Sequence, residues 1–172
     1  PAKGVDLLIK AFQQICIPAK LIIYGREKEP FTSALKTIAK NSFNEIEFRP
    51  EYKNEEIAIK VFNEIDAIVV PSIWGENSPL VIHEAQACEI PVITANYGGM
   101  KEYVHHKVNG LLFNHRDTQS IHEQLTWAIE HPAKMKEMGR TGYLYSENGR
   151  VPSLKEHCAE LMTIYRSYLK KF

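Results

Sequence analysis

The chain has 172 residues, 44% hydrophobic and 24% charged, a composition typical of one globular domain with an apolar core. Twenty-one Lys and Arg balance twenty-one Asp and Glu, so the basic field that nucleic-acid binding needs is missing. No apolar stretch approaches the ~20 residues that span a bilayer. Cys16, Cys88 and Cys158 cannot form a disulfide framework; we predict core positions for them and a reducing, cytoplasmic location.

Short apolar runs alternate with segments of helical periodicity along the chain. The patterns predict helices at 4–16, 31–40, 55–62 and 78–88, and strands at 20–25, 46–48, 66–71, 91–94 and 111–113. From Asp117 onward the chain is predicted to be almost wholly helical, with breaks at 131–132 and near 148–152. This alternation predicts an α/β fold with a parallel sheet covered by helices on both faces. A helix comes first, whereas doubly wound folds normally begin with a strand.

The predicted C-terminal helix, about 153–170, carries one apolar stripe: Leu154, Cys158, Leu161, Tyr165 and Tyr168. We expect this stripe to pack on its own domain or on a partner domain. The few basic residues nearby, Lys170 and Lys171, argue against a membrane-surface helix.

Several common signatures of catalysis are absent from the sequence. There is no P-loop, no G-x-G-x-x-G after a strand and no G-x-S-x-G, which disfavours P-loop ATPases, standard dinucleotide binders and α/β serine hydrolases. The aspartates, Asp6, Asp66 and Asp117, form no Asp-x-Asp pair that could hold a divalent metal against a diphosphate. We therefore predict no metal site and no cofactor.

The segment from Pro71 to Ala85 takes the chain from the end of a strand, through a polar loop, into a helix. Ligands collect at the carboxyl ends of strands in open α/β sheets, and helix N-termini bind phosphate through unpaired backbone N–H groups. We expect Ser78 to cap this helix with Pro79 at its first position. Pro79 has no N–H, so the predicted phosphate donors are the amides of Leu80 and Val81.

Two glutamates, Glu76 and Glu84, flank this helix start and can face one cleft, where carboxylates accept hydrogen bonds from sugar hydroxyls. As a bare spacing, a solvated helix face also explains them. The next strand runs into a loop with Gly98 and Gly99, where backbone N–H groups can approach a ligand without interference from a Cβ. A plain turn is the alternative there.

The order of these motifs resembles that of the group 1 (family 4) glycosyltransferases. Residues 3–8, KGVDLL, resemble the family's KG-x-x-x-L helix, and Glu76 to Glu84 matches its E-x7-E motif. Residues 98–102, GGMKE, resemble its GG-x-x-E loop, and residues 109–112 its NGLL strand. Two features depart from the pattern. Residues 77–79 are Asn-Ser-Pro where Gly-Phe-Gly is common, and the arginine that the family places upstream of its lysine would precede Pro1.

The resemblance implies the C-terminal, donor-binding half of a GT-B enzyme, which pairs two Rossmann-like domains around one active site. Residues 1–172 would be one nucleotide-sugar-binding domain, a fragment lacking its first strand and the N-terminal acceptor-binding domain, and inactive alone. Such enzymes are typically retaining and metal-independent, use nucleotide-diphosphate sugars, and serve polysaccharide or glycoconjugate synthesis. Membrane association would come only through the full-length enzyme. A nucleotide-sugar epimerase on the same scaffold and a non-catalytic binding module remain alternatives.

Carried over residue by residue, the resemblance implies that Glu76 and Lys3 are catalytic. Glu76 would lie beside the donor sugar and Lys3 would help to neutralise the diphosphate, which the amides of Leu80 and Val81 would receive.

The remaining implied roles concern donor binding. Glu84 would hydrogen-bond the ribose hydroxyls and Arg49 would contact the base. Gly98 and Gly99 would line the sugar pocket, with Glu102 as a further donor-binding residue.

Overall fold

The computed structural model describes residues 3–169 and shows parallel strands flanked by helices. Pro1, Lys170 and Lys171, on which parts of the predictions fall, lie outside the described residues. The strands are β1 (Lys20–Tyr24), β2 (Glu45–Arg49), β3 (Ile68–Val70), β4 (Val92–Ala95) and β5 (Gly110–Phe113). The helices are α1 (Val5–Phe12), α2 (Phe31–Ala39), α3 (Leu80–Ala87), α4 (Met100–Tyr103), α5 (Thr118–Glu130), α6 (Pro132–Thr141) and α7 (Leu154–Leu169).

The strands form two separate parallel sheets. β1 pairs with β2 along its whole length, from Lys20 opposite Glu45 to Tyr24 opposite Arg49. β4 lies between β3 and β5 and is buried at every position, as a continuous apolar run predicts for a central strand. β1 and β3 are not hydrogen-bonded to each other, and a cavity of about 1100 Å³ lies between the two sheets. The predicted α/β order is thus confirmed. The structure has two sheets, however, where the sequence predicted one.

The helix predicted at 55–62 is the main local difference. Residues 54–64 form short 3-10 and π turns, Asn54–Glu56, Ile57–Val61 and Phe62–Glu64, instead of one α-helix. The apolar residues that suggested a helix face, Ile57, Val61 and Phe62, are buried as expected. Three β-branched residues within five positions lower the helix propensity here, so burial is achieved without a regular helix.

One prediction about packing is wrong within the described residues, and one of two alternatives for the C-terminal helix is excluded there. Cys16, Cys88 and Cys158 are all exposed rather than in the core. α1 ends at Phe12, so Cys16 lies beyond the helical face that suggested its burial. Every described residue of α7 is exposed, so its apolar stripe does not pack on this domain.

Asn109 fixes the loop that leads into β5. Its side-chain amide donates to the carbonyls of Tyr103 and Gly142, both at 2.9 Å, and its oxygen accepts from the His105 amide at 2.7 Å. Only 1% of Asn109 is exposed, so water cannot replace these partners. The asparagine of the NGLL motif is therefore a structural residue.

Replacing Asn109 by alanine is expected to lower the free energy of unfolding by about 2 kcal/mol, because three buried backbone groups lose their partner. Urea denaturation measures the change, with Asn41→Ala, at an exposed position, as the control. Equal stability of the two variants would contradict this role.

Candidate functional site

The candidate site is built from the carboxyl ends of β3 and β4, which lie at the same edge of their sheet because the two strands pair in parallel. The loop after β3 is held there by the start of α1. Gly4 has a left-handed backbone, with φ of 64°, and a Cβ at this position would collide with the carbonyl oxygen of Pro71. This close approach brings residue 3 to the end of β3.

Lys3 and Glu76, 73 residues apart in sequence, form an ion pair at this edge. The Lys3 side chain is 73% exposed, whereas that of Glu76 is 20% exposed. Ser72 donates its hydroxyl to the same Glu76 carboxylate at 3.0 Å and is itself 1% exposed. The sequence reasoning missed Ser72, although the Pro-Ser pair at the strand end is a signal for it.

The pKa of Glu76 lies below its ordinary value because Lys3 hydrogen-bonds its carboxylate, with Ser72 adding to this effect and partial burial opposing it. The carboxylate is therefore ionised at neutral pH. The stability that this pair contributes is present above the ordinary carboxyl pKa and is lost as the pH falls through the lowered value.

Replacing Lys3 by methionine is expected to raise the pKa of Glu76, because the largest cause of its lowering is removed. Carboxyl-carbon NMR titration of Glu76 measures the change. Lys10→Met, on the exposed side of α1, should leave the Glu76 titration unaltered. An unchanged pKa in Lys3→Met would show that the ion pair does not form in solution.

α3 begins at Leu80, one residue after the first helical position that the sequence predicted. Pro79, in an extended conformation, is the N-cap, and the expected cap by Ser78 is wrong. The Ser78 hydroxyl lies 2.9 Å from Nε2 of His83 instead. The amides of Leu80 and Val81 open the first turn, where backbone N–H groups have no intrahelical acceptor.

Gly98 and Gly99 join the loop after β4 to the loop after β3. The Gly99 amide donates to the Glu76 carbonyl at 2.7 Å, and a Cβ on Gly99 would collide with the carbonyl of Asn77. Gly98 has a φ of 57°, and a Cβ there would lie 2.9 Å from the Glu76 carbonyl oxygen. The two glycines thus allow loop-to-loop packing that fixes the backbone of Glu76. Their contact with a sugar stays a prediction.

Glu84 lies on α3, partly buried, near the loop that follows β2. Burial raises the pKa of its carboxyl above the ordinary value. The Tyr52 pKa is also raised, first by burial and then by the charge of Glu84, which places the two side chains within electrostatic reach. The ring of Tyr52 packs edge-on against Tyr24, with centroids 5.6 Å apart. The charge of Glu84 therefore acts on the side chain of Tyr52 in the loop after β2.

Arg49, at the end of β2, is held by neighbouring side chains. Its guanidinium donates to both carboxylate oxygens of Glu47, to Glu64 at 2.5 Å and to the Tyr24 hydroxyl at 2.7 Å. These bonds raise the Arg49 pKa, and Arg49 together with Lys20 lowers the pKa of Glu47 to about 2. A cavity of about 240 Å³ lies beside Arg49 and Tyr52. The predicted base contact by Arg49 stays a prediction.

Glu102 is brought to this edge mainly through its backbone. Its amide donates to the Gly99 carbonyl at 3.1 Å, and its carbonyl accepts from the Tyr145 hydroxyl at 2.7 Å. Its side chain is exposed, and a donor-binding role for it stays a prediction.

Within residues 3–169, no group of three or more His, Cys, Asp or Glu side chains could hold a metal ion. No helix in the described part of the chain is long and apolar enough to cross a bilayer.

These features define a Rossmann-like α/β domain. Parallel strands are flanked by helices, and the N-terminus of α3 follows the carboxyl end of β3. The chain belongs to the family described as Glycosyl transferases group 1, whose model matches residues 1–145. The family membership predicted from the motifs is thus confirmed.

Curated relatives agree with this assignment. The chain is 31% identical over 147 residues to an uncharacterized glycosyltransferase of Methanocaldococcus jannaschii, covering 86% of this chain and 40% of that protein. It is 30% identical over 158 residues to a GDP-mannose-dependent monoacylated alpha-(1-6)-phosphatidylinositol monomannoside mannosyltransferase of Corynebacterium glutamicum, with the same coverage of 86% and 40%. The chain thus spans about 40% of the length of these relatives.

Solved structures show the same fold. The Anabaena protein HepE, solved in complex with UDP and glucose, matches with a TM-score of 0.78 and 24% identity over 95% of this chain and 45% of its own. Sucrose-phosphate synthase of Thermosynechococcus elongatus matches with a TM-score of 0.78 and 22% identity over 99% of this chain and 43% of its own. These likenesses confirm the predicted fold class, a Rossmann-like half of a GT-B fold.

Proposed function

We propose that residues 1–172 form the donor-binding domain of a retaining, metal-independent glycosyltransferase that moves a sugar from a nucleotide-diphosphate sugar to a glycan or glycoconjugate acceptor. The observation that carries this proposal is the Lys3–Glu76 pair, which lies on the loop that leads into the first turn of α3, where Leu80 and Val81 begin the helix. Family membership supports the reaction class. In this proposal an N-terminal domain supplies acceptor binding, the enzyme works in the cytoplasm, and the chain alone has no transferase activity.

The departing diphosphate carries the charge that this site has to stabilise. A helix N-terminus contributes about 0.3–1 kcal/mol, or up to about 2 kcal/mol when partly buried, which is too little alone. A well-placed donor in such a site is worth about 2.7–4 kcal/mol. Lys3 supplies this further cation. Its largely exposed ammonium is paired with Glu76 and remains open to a phosphate oxygen.

The Glu76 carboxylate accepts hydrogen bonds from Lys3 and Ser72, and in this proposal it lies beside the donor sugar. Glu84, whose charge helps to raise the pKa of Tyr52 in the loop after β2, is proposed to accept hydrogen bonds from the ribose hydroxyls. Arg49 would then contact the base beyond the ribose. Gly98 and Gly99 would line the sugar pocket with Glu102.

The names of similar proteins suggest which donors to test. One relative is GDP-mannose-dependent, and HepE has been solved with UDP and with UDP-glucose. We therefore propose titrating the chain with UDP, GDP, ADP and their sugars, followed by ligand-observed NMR. At least one nucleotide sugar is expected to bind without being turned over. A folded sample that binds none of them would refute the proposed function, and transfer to an acceptor by this chain alone would refute the requirement for a second domain.

A further inference from the structure

Ser78 and His83 form a side-chain pair at the start of α3 to which the proposed function assigns no role. The Ser78 hydroxyl oxygen lies 2.9 Å from Nε2 of His83. Ser78 is exposed, whereas His83 is partly buried. The distance fits two arrangements, because either the serine donates to a bare Nε2 or a protonated Nε2 donates to the serine. The tautomer of His83 therefore decides what the Ser78 hydroxyl can do.

The surroundings of the His83 ring favour the tautomer with its proton on Nε2. The ring packs edge-on against Tyr103 and Tyr143, with centroids 4.4 Å and 5.8 Å apart. Its Nδ1 is buried and has no hydrogen-bond partner among residues 3–169. A buried N–H without an acceptor is rarer in proteins than an under-satisfied acceptor, so Nδ1 is the bare nitrogen. Burial also lowers the pKa of His83, which keeps the ring neutral at neutral pH.

With Nε2 protonated, Ser78 accepts from His83 and keeps its own hydrogen free. A hydroxyl has one donor hydrogen, and Ser78 makes no other hydrogen bond within the described part of the chain. The hydrogen is therefore open to solvent just ahead of α3. Pro79, the next residue, has no N–H, so the backbone offers one donor fewer at this helix start. The Ser78 hydroxyl supplies a donor where the proline removes one.

We propose that His83 is a positioning residue, whose Nε2–H holds the Ser78 oxygen so that the Ser78 hydroxyl donates to a phosphate oxygen of the nucleotide-diphosphate donor. This inference rests on the proposed function, in which the amides of Leu80 and Val81 receive the same diphosphate. No covalent bond forms or breaks in this contact. The same tautomer excludes Ser78 as a nucleophile activated by His83, because a protonated Nε2 cannot take the serine proton.

The tautomer is measured on the chain without nucleotide, by long-range correlation of ring protons with ring ¹⁵N nuclei at neutral pH. Protonated and bare imidazole nitrogens have clearly different ¹⁵N shifts, and His83→Phe identifies the signals that belong to this ring. We expect Nε2 to be protonated and Nδ1 to be bare. A proton on Nδ1 would overturn the inference, whatever the chain binds.

Affinities for UDP, GDP and ADP test the contact with phosphate. Ser78→Ala is expected to weaken the tightest of them about tenfold or more, as the loss of a hydrogen bond to a charged group does. Ser78→Thr keeps the hydroxyl and is expected to restore most of the affinity. Ser33→Ala, at an exposed position of α2, is the matched control and should bind as the wild type does.

A double-mutant cycle separates positioning from a purely structural role. His83→Phe keeps an aromatic ring against Tyr103 but removes the donor to Ser78. It is expected to weaken binding in the wild-type background and to add nothing in Ser78→Ala. Unchanged affinity in His83→Phe, or equal weakening in both backgrounds, would overturn the positioning role.

The outcome for the proposed function is read separately from the same titrations. Wild-type affinity in Ser78→Ala would overturn this inference alone and leave the proposed function intact. A folded wild-type chain that binds no nucleoside diphosphate would refute both.

Discussion

Replacing Gly99 by alanine is expected to lower the free energy of unfolding by about 3 kcal/mol and to weaken nucleotide binding in the same variant. The added Cβ would collide with the carbonyl of Asn77, which is backbone and cannot move aside as a flexible side chain can. Overpacking of this kind costs about 1–3 kcal/mol, at the upper end where neither partner can relax. Chemical denaturation and nucleotide titration measure the two effects.

Gly25 provides the matched control for this variant. It also directly follows a strand, β1, but a Cβ built on it meets no atom within 4 Å. Gly25→Ala is therefore expected to change the stability by no more than about 0.5 kcal/mol, as surface substitutions usually do. If Gly99→Ala were as stable as Gly25→Ala, the loops after β3 and β4 would not be packed together in solution.

The strands were predictable because their signal is local. Lys20–Tyr24 and Val92–Ala95 lie within continuous apolar runs bounded by turn residues, so both appear close to their predicted bounds. The division of the sheet was not predictable, because the pairing of β1 or β3 with a neighbour depends on residues far away in sequence. The irregular turns of 54–64 also escaped prediction. In that segment the residues expected on the buried face of a helix are buried, but the backbone forms short 3-10 and π turns instead of an α-helix.

The site was predictable only as a set of motifs. Strand ends and the helix start indicated where Leu80 and Val81 would lie, and the family resemblance singled out Lys3 and Glu76. The contact between those two depends on the fit of Gly4 against Pro71, a long-range approach with no local signal. The glycines after β4 were predicted for ligand approach, whereas their visible role is contact with another loop.

For the C-terminal helix, the sequence predicted the helix itself but not the surface on which it packs. Its apolar periodicity correctly predicted α7, yet periodicity does not specify which surface an apolar face will meet. Every described residue of α7 is exposed, so its apolar stripe does not pack on this domain. Packing on a partner domain stays a prediction.

Replacing Glu84 by alanine is expected to weaken nucleotide binding about tenfold to hundredfold, because a hydrogen bond to a charged group is worth about 1.5–3 kcal/mol. Stability should change little. The pKa of Glu84 is raised by burial, so its ionised form is less favourable in the folded chain than in the unfolded chain, and truncation removes no stabilising charge. The pKa of Tyr52 should fall in the same variant, because the charge of Glu84 helps to raise it. Isothermal titration and tyrosine NMR measure these changes.

The pH dependence separates this role from a merely structural one. The ribose hydroxyls donate to an ionised Glu84, so affinity for the nucleotide should decline as the pH falls through the raised pKa of Glu84. Glu76, with its lowered pKa, remains ionised over that range. The decline should be absent in Glu84→Ala and retained in Glu123→Ala, which removes an exposed glutamate from α5. Wild-type affinity and wild-type pH dependence in Glu84→Ala would exclude the ribose contact, while the Tyr52 titration would still report whether Glu84 lies where the structure places it.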